Sequence, residues 1–188
     1  MSPFQHFAAA LGFFHTSEFL LACIFMRQEL SWSSWCFSTP YAVAMACACA
    51  EYFLERQLVP QLKQTLPWIS TVGLAMVILG EAVRKAAMVT AGHNFTHTVQ
   101  FQRREEHALV THGIYRVIRH PGYAGWLLWA VGTQLLLINP LCLAGYACIC
   151  WNFFRRRISI EEEQLRKFFG RSYQHYAAAV PSGIPFIP

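Results

Sequence analysis

The chain has 188 residues, of which 55% are hydrophobic and only 13% charged, with 15 Lys and Arg against 10 acidic residues. Soluble domains carry about 25% charged residues to keep a solvated surface, so this composition excludes an ordinary soluble globule and leaves a membrane protein. The length suits a single domain.

The first segment, MSPFQHFAAALGFF, has neither a basic start nor a small-residue cleavage site, so a removable signal peptide is not expected. A membrane helix needs about 20 mostly apolar residues, and residues 7–26, 41–59 and 68–89 each qualify. A further apolar block, residues 123–154, is too long for one span and is interrupted at Asn139 and Pro140. Proline removes a helical hydrogen bond and biases the residue before it away from the helical region. The block therefore reads as a hairpin of two short helices, 123–138 and 141–154, joined by a very tight turn. The expected fold is an all-α integral membrane protein with about five transmembrane helices.

Of the 15 basic residues, only Arg56 and Lys63 fall on one side of this arrangement; the rest, Arg84 and Lys85 included, fall on the other. The positive-inside rule makes the rich side cytosolic. The N-terminus is then lumenal, and both residues 91–122 and the C-terminus are cytosolic. Beyond the hairpin, Leu165, Phe169, Tyr173, Tyr176 and Val180 recur at spacings of four and three. That stripe predicts an amphipathic C-terminal helix lying on the membrane or over the cytosolic loops.

Seven cysteines lie mostly in apolar runs without paired CxxC spacing and read as small buried hydrophobes rather than disulfides or metal ligands. Glu18, Glu51 and Glu81 are carboxylates in or at the ends of oily helices, a position that points to function or buried pairing. His15 and Glu18, three apart, read as structural partners on one helix face. Glu51 and Glu55 lack the histidines of a di-metal site. Haem would need facing histidines in two spans, and only His15 lies in one. No metal is expected.

Two polar clusters remain, HALVTHGIYRVIRHPGY before the hairpin and RRRISIEEE after it. Because the hairpin turns back on itself, its ends are neighbours. His107, Tyr115, Arg119, His120 and Tyr123 are thus expected near Arg157, Glu161, Glu162 and Glu163. Anchoring arginines with capping carboxylates at a helix N-terminus would share this composition. The order RHPxYxG followed by a carboxylate run is more particular.

That order resembles the isoprenylcysteine carboxyl methyltransferase family. RHPGYAGW, GTQLLLINPLC, LVTHGIY, the run WNFFRRRI, the ending VPSGIPFI and, upstream, EAVRKAAMVTAGHNFTH are all similar to it. Phospholipid N-methyltransferases and membrane sterol reductases share related versions of the RHPxYxG signature, and a non-catalytic scaffold of the same fold is a further alternative. A reductase would imply a nicotinamide cofactor. The resemblance implies a short form of the family without extra N-terminal helices. It divides one membrane methyltransferase domain into three spans (1–90), a cytosolic cofactor-binding segment (91–122), the hairpin (123–154) and a cytosolic C-terminal segment (155–188).

The implied reaction is methyl transfer from S-adenosylmethionine to the C-terminal carboxylate of a farnesylated or geranylgeranylated cysteine. The implied substrates are CaaX-processed, small-GTPase-like proteins at the endoplasmic reticulum membrane. A lipid bilayer is the other expected partner, and no nucleic acid is. A carboxylate with a pKa near 3.5 is already ionised at neutral pH, so no general base is needed. Catalysis then rests on alignment, which can supply about 7–11 kcal/mol. Arg157 matches the family's substrate-side arginine, whose planar fork suits a carboxylate. The cofactor site maps by resemblance to Gln100, His107, Ala108, Leu109, Val110, Tyr115, His120, Pro121, Gly122, Tyr123 and Glu161. Gly122 occupies a slot where relatives often have serine, which leaves a side-chain contact there open.

Overall fold

The computed structural model describes residues 1–27 and 30–188. These residues are all-helical, in seven α-helices with no strand: α1 (Pro3–Phe25), α2 (Thr39–Leu58), α3 (Pro60–Thr65), α4 (Pro67–Ala91), α5 (Pro121–Leu137), α6 (Pro140–Phe169) and α7 (Arg171–Ala179). Proline sets most of the starts. Pro3, Pro40, Pro60, Pro67, Pro121 and Pro140 occupy the first or second position of α1 to α6, where the missing N–H costs no helical bond. Ser2 and Gln5 close a reciprocal capping box on α1, and Ser38 accepts from the Tyr41 amide at the start of α2.

The expected hairpin is present, with only Ile138 and Asn139 between α5 and α6. Its turn is held by groups from α2 and α3. The Lys63 ammonium donates to the carbonyls of Leu137 and Ile138, both at 2.9 Å, and to Asn139 Oδ1 at 3.1 Å while pairing with Glu55 at 2.7 Å. Glu51 accepts from the amides of Leu141 at 2.7 Å and Cys142 at 2.6 Å. A cation thus faces the C-terminal end of α5 and an anion the N-terminal end of α6, each matching the helix dipole it meets. Glu51 thus caps the start of α6 through backbone amides.

α4 and α5 pack backbone against backbone. A Cβ on Gly73 would come 2.1 Å from the Leu136 nitrogen, and one on Gly80 would come 2.5 Å from the Trp129 nitrogen. On the facing helix, a Cβ on Gly125 would meet the Gly80 oxygen at 2.6 Å, and one on Gly132 the Met76 Cβ at 2.9 Å. Glycines seven apart on each helix leave out the side chains that would hold the helices apart, the small-residue packing of membrane interfaces.

Two expectations are corrected, and a third in part. The returning helix does not stop at Phe154: α6 runs 30 residues to Phe169, about 45 Å, so RRRISIEEE is helix rather than a segment beyond one. The C-terminal stripe does not lie on one helix, because Gly170 adopts φ 52° and divides it between α6 and α7. A left-handed conformation is one that glycine adopts at no steric cost. His15 and Glu18 do share the buried face of α1, but each takes its own hydrogen-bond partners. His15 bonds the Trp35 carbonyl at 2.7 Å and the Tyr41 hydroxyl at 2.8 Å, whereas Glu18 pairs with Arg84 and Lys85.

By length and apolar composition alone, α1 is the one helix among the described residues that suffices to cross a bilayer. α5 has 17 residues, about 26 Å, and α2 and α4 carry charged residues in their C-terminal halves. Leu20, Ile24, Val43, Leu54, Val72, Ile78, Leu79 and Ile149 are nonetheless exposed on α1, α2, α4 and α6. Cys150 is buried as expected, but Cys47 and Cys148 face outward, since the runs that hold them also present apolar faces to the surroundings.

Candidate active site

The RHPGY stretch is where the C-terminal segment docks. Arg119 is buried, and its guanidinium donates to the Ala177 carbonyl at 3.1 Å, the Pro188 carbonyl at 2.9 Å and the Val180 carbonyl. The Arg119 and His120 amides donate to the carbonyls of Pro181 at 2.9 Å and Ser182 at 3.0 Å. The RHP and VPSG motifs, far apart in sequence, are therefore one structure, with Arg119 organising the tail at the edge of the cleft described below.

Glu162 of α6 is the hub beneath it. Its carboxylate accepts from Arg119 Nη2 at 2.5 Å and Nε at 3.1 Å, from Arg166 at 2.7 Å, and pairs with His120 Nε2 at 3.2 Å. Burial by itself would raise the Glu162 carboxyl, but the hydrogen bonds from His120 and Arg119 outweigh it and hold the group at about 2. His120, fixed at the N-terminus of α5, stacks on Tyr123 with ring centroids 5.7 Å apart.

Above this base lies a cleft with about 880 Å³ of space, measured out to open solvent. Gln100, His107, Ala108, Leu109, Val110, Tyr115, His120, Pro121, Gly122, Tyr123 and Glu161 all line it. The structure thus brings together every residue expected at a cofactor site, from three stretches of chain. The Ala108 amide donates to Asn94 Oδ1 at 2.8 Å, which holds this stretch to the end of α4. The His107 ring meets Phe168 and Phe169 at centroid distances of 5.7 and 5.5 Å. The Tyr115 carbonyl accepts from the Tyr176 hydroxyl at 2.6 Å. Burial, reinforced by the Glu161 charge, pushes the Tyr115 hydroxyl up, and burial lifts Tyr176 to about 12, so both remain neutral across physiological pH. Tyr123 donates to Glu161.

A side chain at Gly122 would crowd the Phe95 ring, with a Cβ 3.1 Å from it, and the Gly122 carbonyl accepts from Arg84 Nη1 at 3.0 Å. The space a side chain at this position would need is filled by the Phe95 ring.

Arg157 stands beside the cleft and is half-buried. Its Nε donates to the Tyr123 hydroxyl at 2.7 Å and its Nη2 to the His97 carbonyl at 2.5 Å, with the guanidinium 5.3 Å over the Tyr123 ring. One edge of the fork is thereby held, and Nη1 has no hydrogen-bond partner among the described residues. Arg155 is exposed and stacks on Trp151.

Sequence reasoning missed the hub role of Glu162 and the lining contributed by Asn94, Phe95, Phe168 and Tyr173. A signal existed in the stripe of Leu165, Phe169, Tyr173 and Tyr176, whose apolar face covers the cleft. Arg84 and Lys85, grouped with the basic side, in fact bind Glu18 inside the helices. Glu18, Cys36 and His97 bring three ligand-type atoms within 4.8 Å of one another, but two cations already pair with that carboxylate, and their charge opposes a metal ion.

Fold and site together define an all-helical protein with a mixed polar and apolar small-molecule cleft set against a tight helical hairpin. The chain matches the isoprenylcysteine carboxyl methyltransferase family over residues 73–167. It is 50% identical over 182 residues to a probable protein-S-isoprenylcysteine O-methyltransferase of Oryza sativa subsp. indica, covering 96% of this chain and 95% of that one. It is 45% identical over 188 residues to the protein-S-isoprenylcysteine O-methyltransferase of Homo sapiens, covering 99% of this chain and 66% of the relative. It superposes with a TM-score of 0.94 and 43% identity on the eukaryotic intramembrane Ras methyltransferase ICMT, covering 98% of this chain and 67% of that chain. The chain belongs to the isoprenylcysteine carboxyl methyltransferase family.

Proposed function

We propose that this protein transfers a methyl group from S-adenosylmethionine to the C-terminal carboxylate of prenylated cysteine in CaaX-processed proteins, small-GTPase-like chains among them. The observation that supports this most is the joining of one cleft, lined by all the cofactor residues named above, to a fixed arginine with an open Nη1. The donor set fits the cofactor. Glu161, Tyr115 and Tyr123 offer polar partners for a zwitterionic tail and a ribose, and Leu109 and Val110 offer apolar surface for an adenine. When bound, S-adenosylmethionine supplies a methyl group activated on a positively charged sulfur.

The protein's own residues do the rest by placement. Arg157 holds the acceptor carboxylate, which is ionised without help, and its planar fork sets the direction of the oxygens. Tyr123 fixes that fork from one side. His107, His120 and Glu161 hold the cofactor in register with it, and Phe168 and Phe169 keep water from the cleft.

The enzyme works within a membrane, where a prenyl tail stays in lipid while its carboxylate reaches Arg157. In this arrangement α1, α2, α4, α5 and the first half of α6 are five spans. Residues 1–90 carry three of them, 91–122 form the cytosolic cofactor-binding segment, 123–154 the hairpin and 155–188 the cytosolic C-terminal part. The membrane is that of the endoplasmic reticulum, with the N-terminus lumenal.

The test is to give purified protein methyl-labelled S-adenosylmethionine with either a prenylcysteine or phosphatidylethanolamine. Label on prenylcysteine that alkali releases as methanol is expected. Alkali-stable label on the phospholipid amine alone would refute the reading in favour of N-methylation, and no label on either would favour a scaffold.

A further inference from the structure

A chain of polar contacts runs from the interior of α1 to Arg157. Glu18 is fully buried. Its carboxylate accepts from Arg84 Nε at 2.8 Å and Nη2 at 2.6 Å and from Lys85 Nζ at 2.5 Å, and it pairs with His97 Nε2 at 3.0 Å. The two-point pairing with Arg84 fixes the plane of the carboxylate. Lys85 is itself shared with Glu81 at 3.0 Å. What Glu18 presents to His97 is therefore an immobile acceptor.

His97 lies in a stretch without regular helix, between the 3-10 turn at Gly92–Asn94 and the one at Gly113–Arg116. Backbone in such a stretch is placed by a few anchors rather than by its own ladder of hydrogen bonds. Among the described residues these include the Asn94 side chain on the Ala108 amide, Arg103 on the Phe168 carbonyl at 2.9 Å, and His97 on Glu18. The last lies at the residue whose carbonyl receives Arg157 Nη2.

We infer that His97 is a positioning residue for Arg157: its ring, locked on Glu18, fixes the carbonyl that orients the guanidinium toward the acceptor. The inference rests on the proposed role of Arg157 in holding the acceptor carboxylate. The imidazole is suited to the task. Burial disfavours its charge, but hydrogen bonds with Cys36 and Glu18 more than offset this and raise it to about 9, so at neutral pH it is a charged donor to Glu18. Cys36 Sγ and the Phe95 ring complete its surroundings, at 3.9 Å from Nε2 and 6.0 Å between centroids.

The test compares His97→Ala, His97→Gln, Arg157→Ala and the His97→Ala/Arg157→Ala pair in purified protein. The readouts are KM and kcat for a soluble farnesylcysteine and S-adenosylmethionine affinity by titration calorimetry. His97→Ala should raise the acceptor KM about tenfold, the effect of one charge-assisted hydrogen bond, while cofactor affinity stays unchanged. His97→Gln, which keeps an N–H donor, should recover most of that loss. In the Arg157→Ala background, His97→Ala should cost nothing further, since residues acting through one contact are not additive. If the alanine variant fails to fold, His97→Asn, whose amide falls short of Glu18, must raise KM in its place. An unchanged acceptor KM in His97→Ala, or an equal loss in both backgrounds, overturns the inference while leaving Arg157's role intact. An unchanged acceptor KM in Arg157→Ala itself overturns the role of Arg157, and the inference with it.

Discussion

Glu161, Glu162 and Glu163 are consecutive and chemically alike, yet the structure gives them three separate tasks that substitution to glutamine should separate. Successive helical residues point about 100° apart, so Glu161 faces the cleft, Glu162 the buried base and Glu163 the solvent. Glu162 is held at about 2 against an ordinary 4.5, so the fold favours its ionised form. Removing one partner of a buried ion pair costs about 3–5 kcal/mol, because Arg119 would be left charged and uncompensated. For a chain of this length that is a fall in melting temperature of roughly 10 °C. Glu163 pairs at the surface with Lys167 at 2.6 Å, and Glu163→Gln should leave both stability and binding at the parent level. Glu161→Gln should melt close to the parent but lose S-adenosylmethionine affinity by about tenfold. The assays are tryptophan-fluorescence melting in detergent micelles and titration calorimetry on the same preparations. Glu162→Gln melting with the parent, or all three variants behaving alike, would refute the division of roles.

Arg155→Ala should be tolerated, whereas Arg157→Ala should lower kcat/KM for prenylcysteine by about 10- to 150-fold, the span of about 1.5–3 kcal/mol for a charged hydrogen bond. Arg157→Lys should restore only part of it, and equal mild losses at both positions would place the carboxylate elsewhere. Gly80→Ala should destabilise by about 1–3 kcal/mol through overpacking, since its Cβ would press on the backbone of Trp129 and Gly125. Gly145→Ala, with nothing within 4 Å, should instead stabilise α6 by about 1 kcal/mol; melting temperatures that move in the same direction would contradict this. Glu162 lies below its ordinary 4.5, so its contribution is complete above pH 4.5 and lost as pH falls through about 2. His97 lies above its ordinary 6.5, so its contribution is complete below pH 6.5 and lost as pH rises through about 9. Melting curves across pH should accordingly show an acid limb that is shallower in Glu162→Gln and an alkaline limb that is shallower in His97→Gln. Tags at each end, tested for protease access in sealed membranes, should be cut at the C-terminus and protected at the N-terminus, and a protected C-terminal tag would reverse the topology.

Local features of the chain were enough for much of this architecture. Asn139 and Pro140 announce the hairpin because a proline ends the helix before it wherever the chain lies. Apolar length announces the helices. Once the hairpin is granted, the two polar clusters must meet, and the cleft that joins His107, Tyr115 and His120 to Glu161 follows from that folding back. The end of α6 was misjudged for a reason of the same kind. A change from oil to charge marks where a helix leaves lipid, not where its hydrogen bonding stops, and nothing in RRRISIEEE breaks a helix before Gly170.

The pairings that set the site were decided by tertiary structure alone. Glu18 and Arg84 are 66 positions apart, and each would be a costly buried charge without the other. Gly73 and Gly80 read as ordinary small residues until Leu136 and Trp129 are packed against them. Which glutamate in a run of three meets Arg119, and whose carbonyl meets Arg157, depends on how far each helix is rotated toward its neighbours. A residue's own neighbourhood in sequence carries its backbone preference. Its partner across the fold exists only once the helices have packed, because the energy of a buried pair belongs to the two groups jointly and is written in neither.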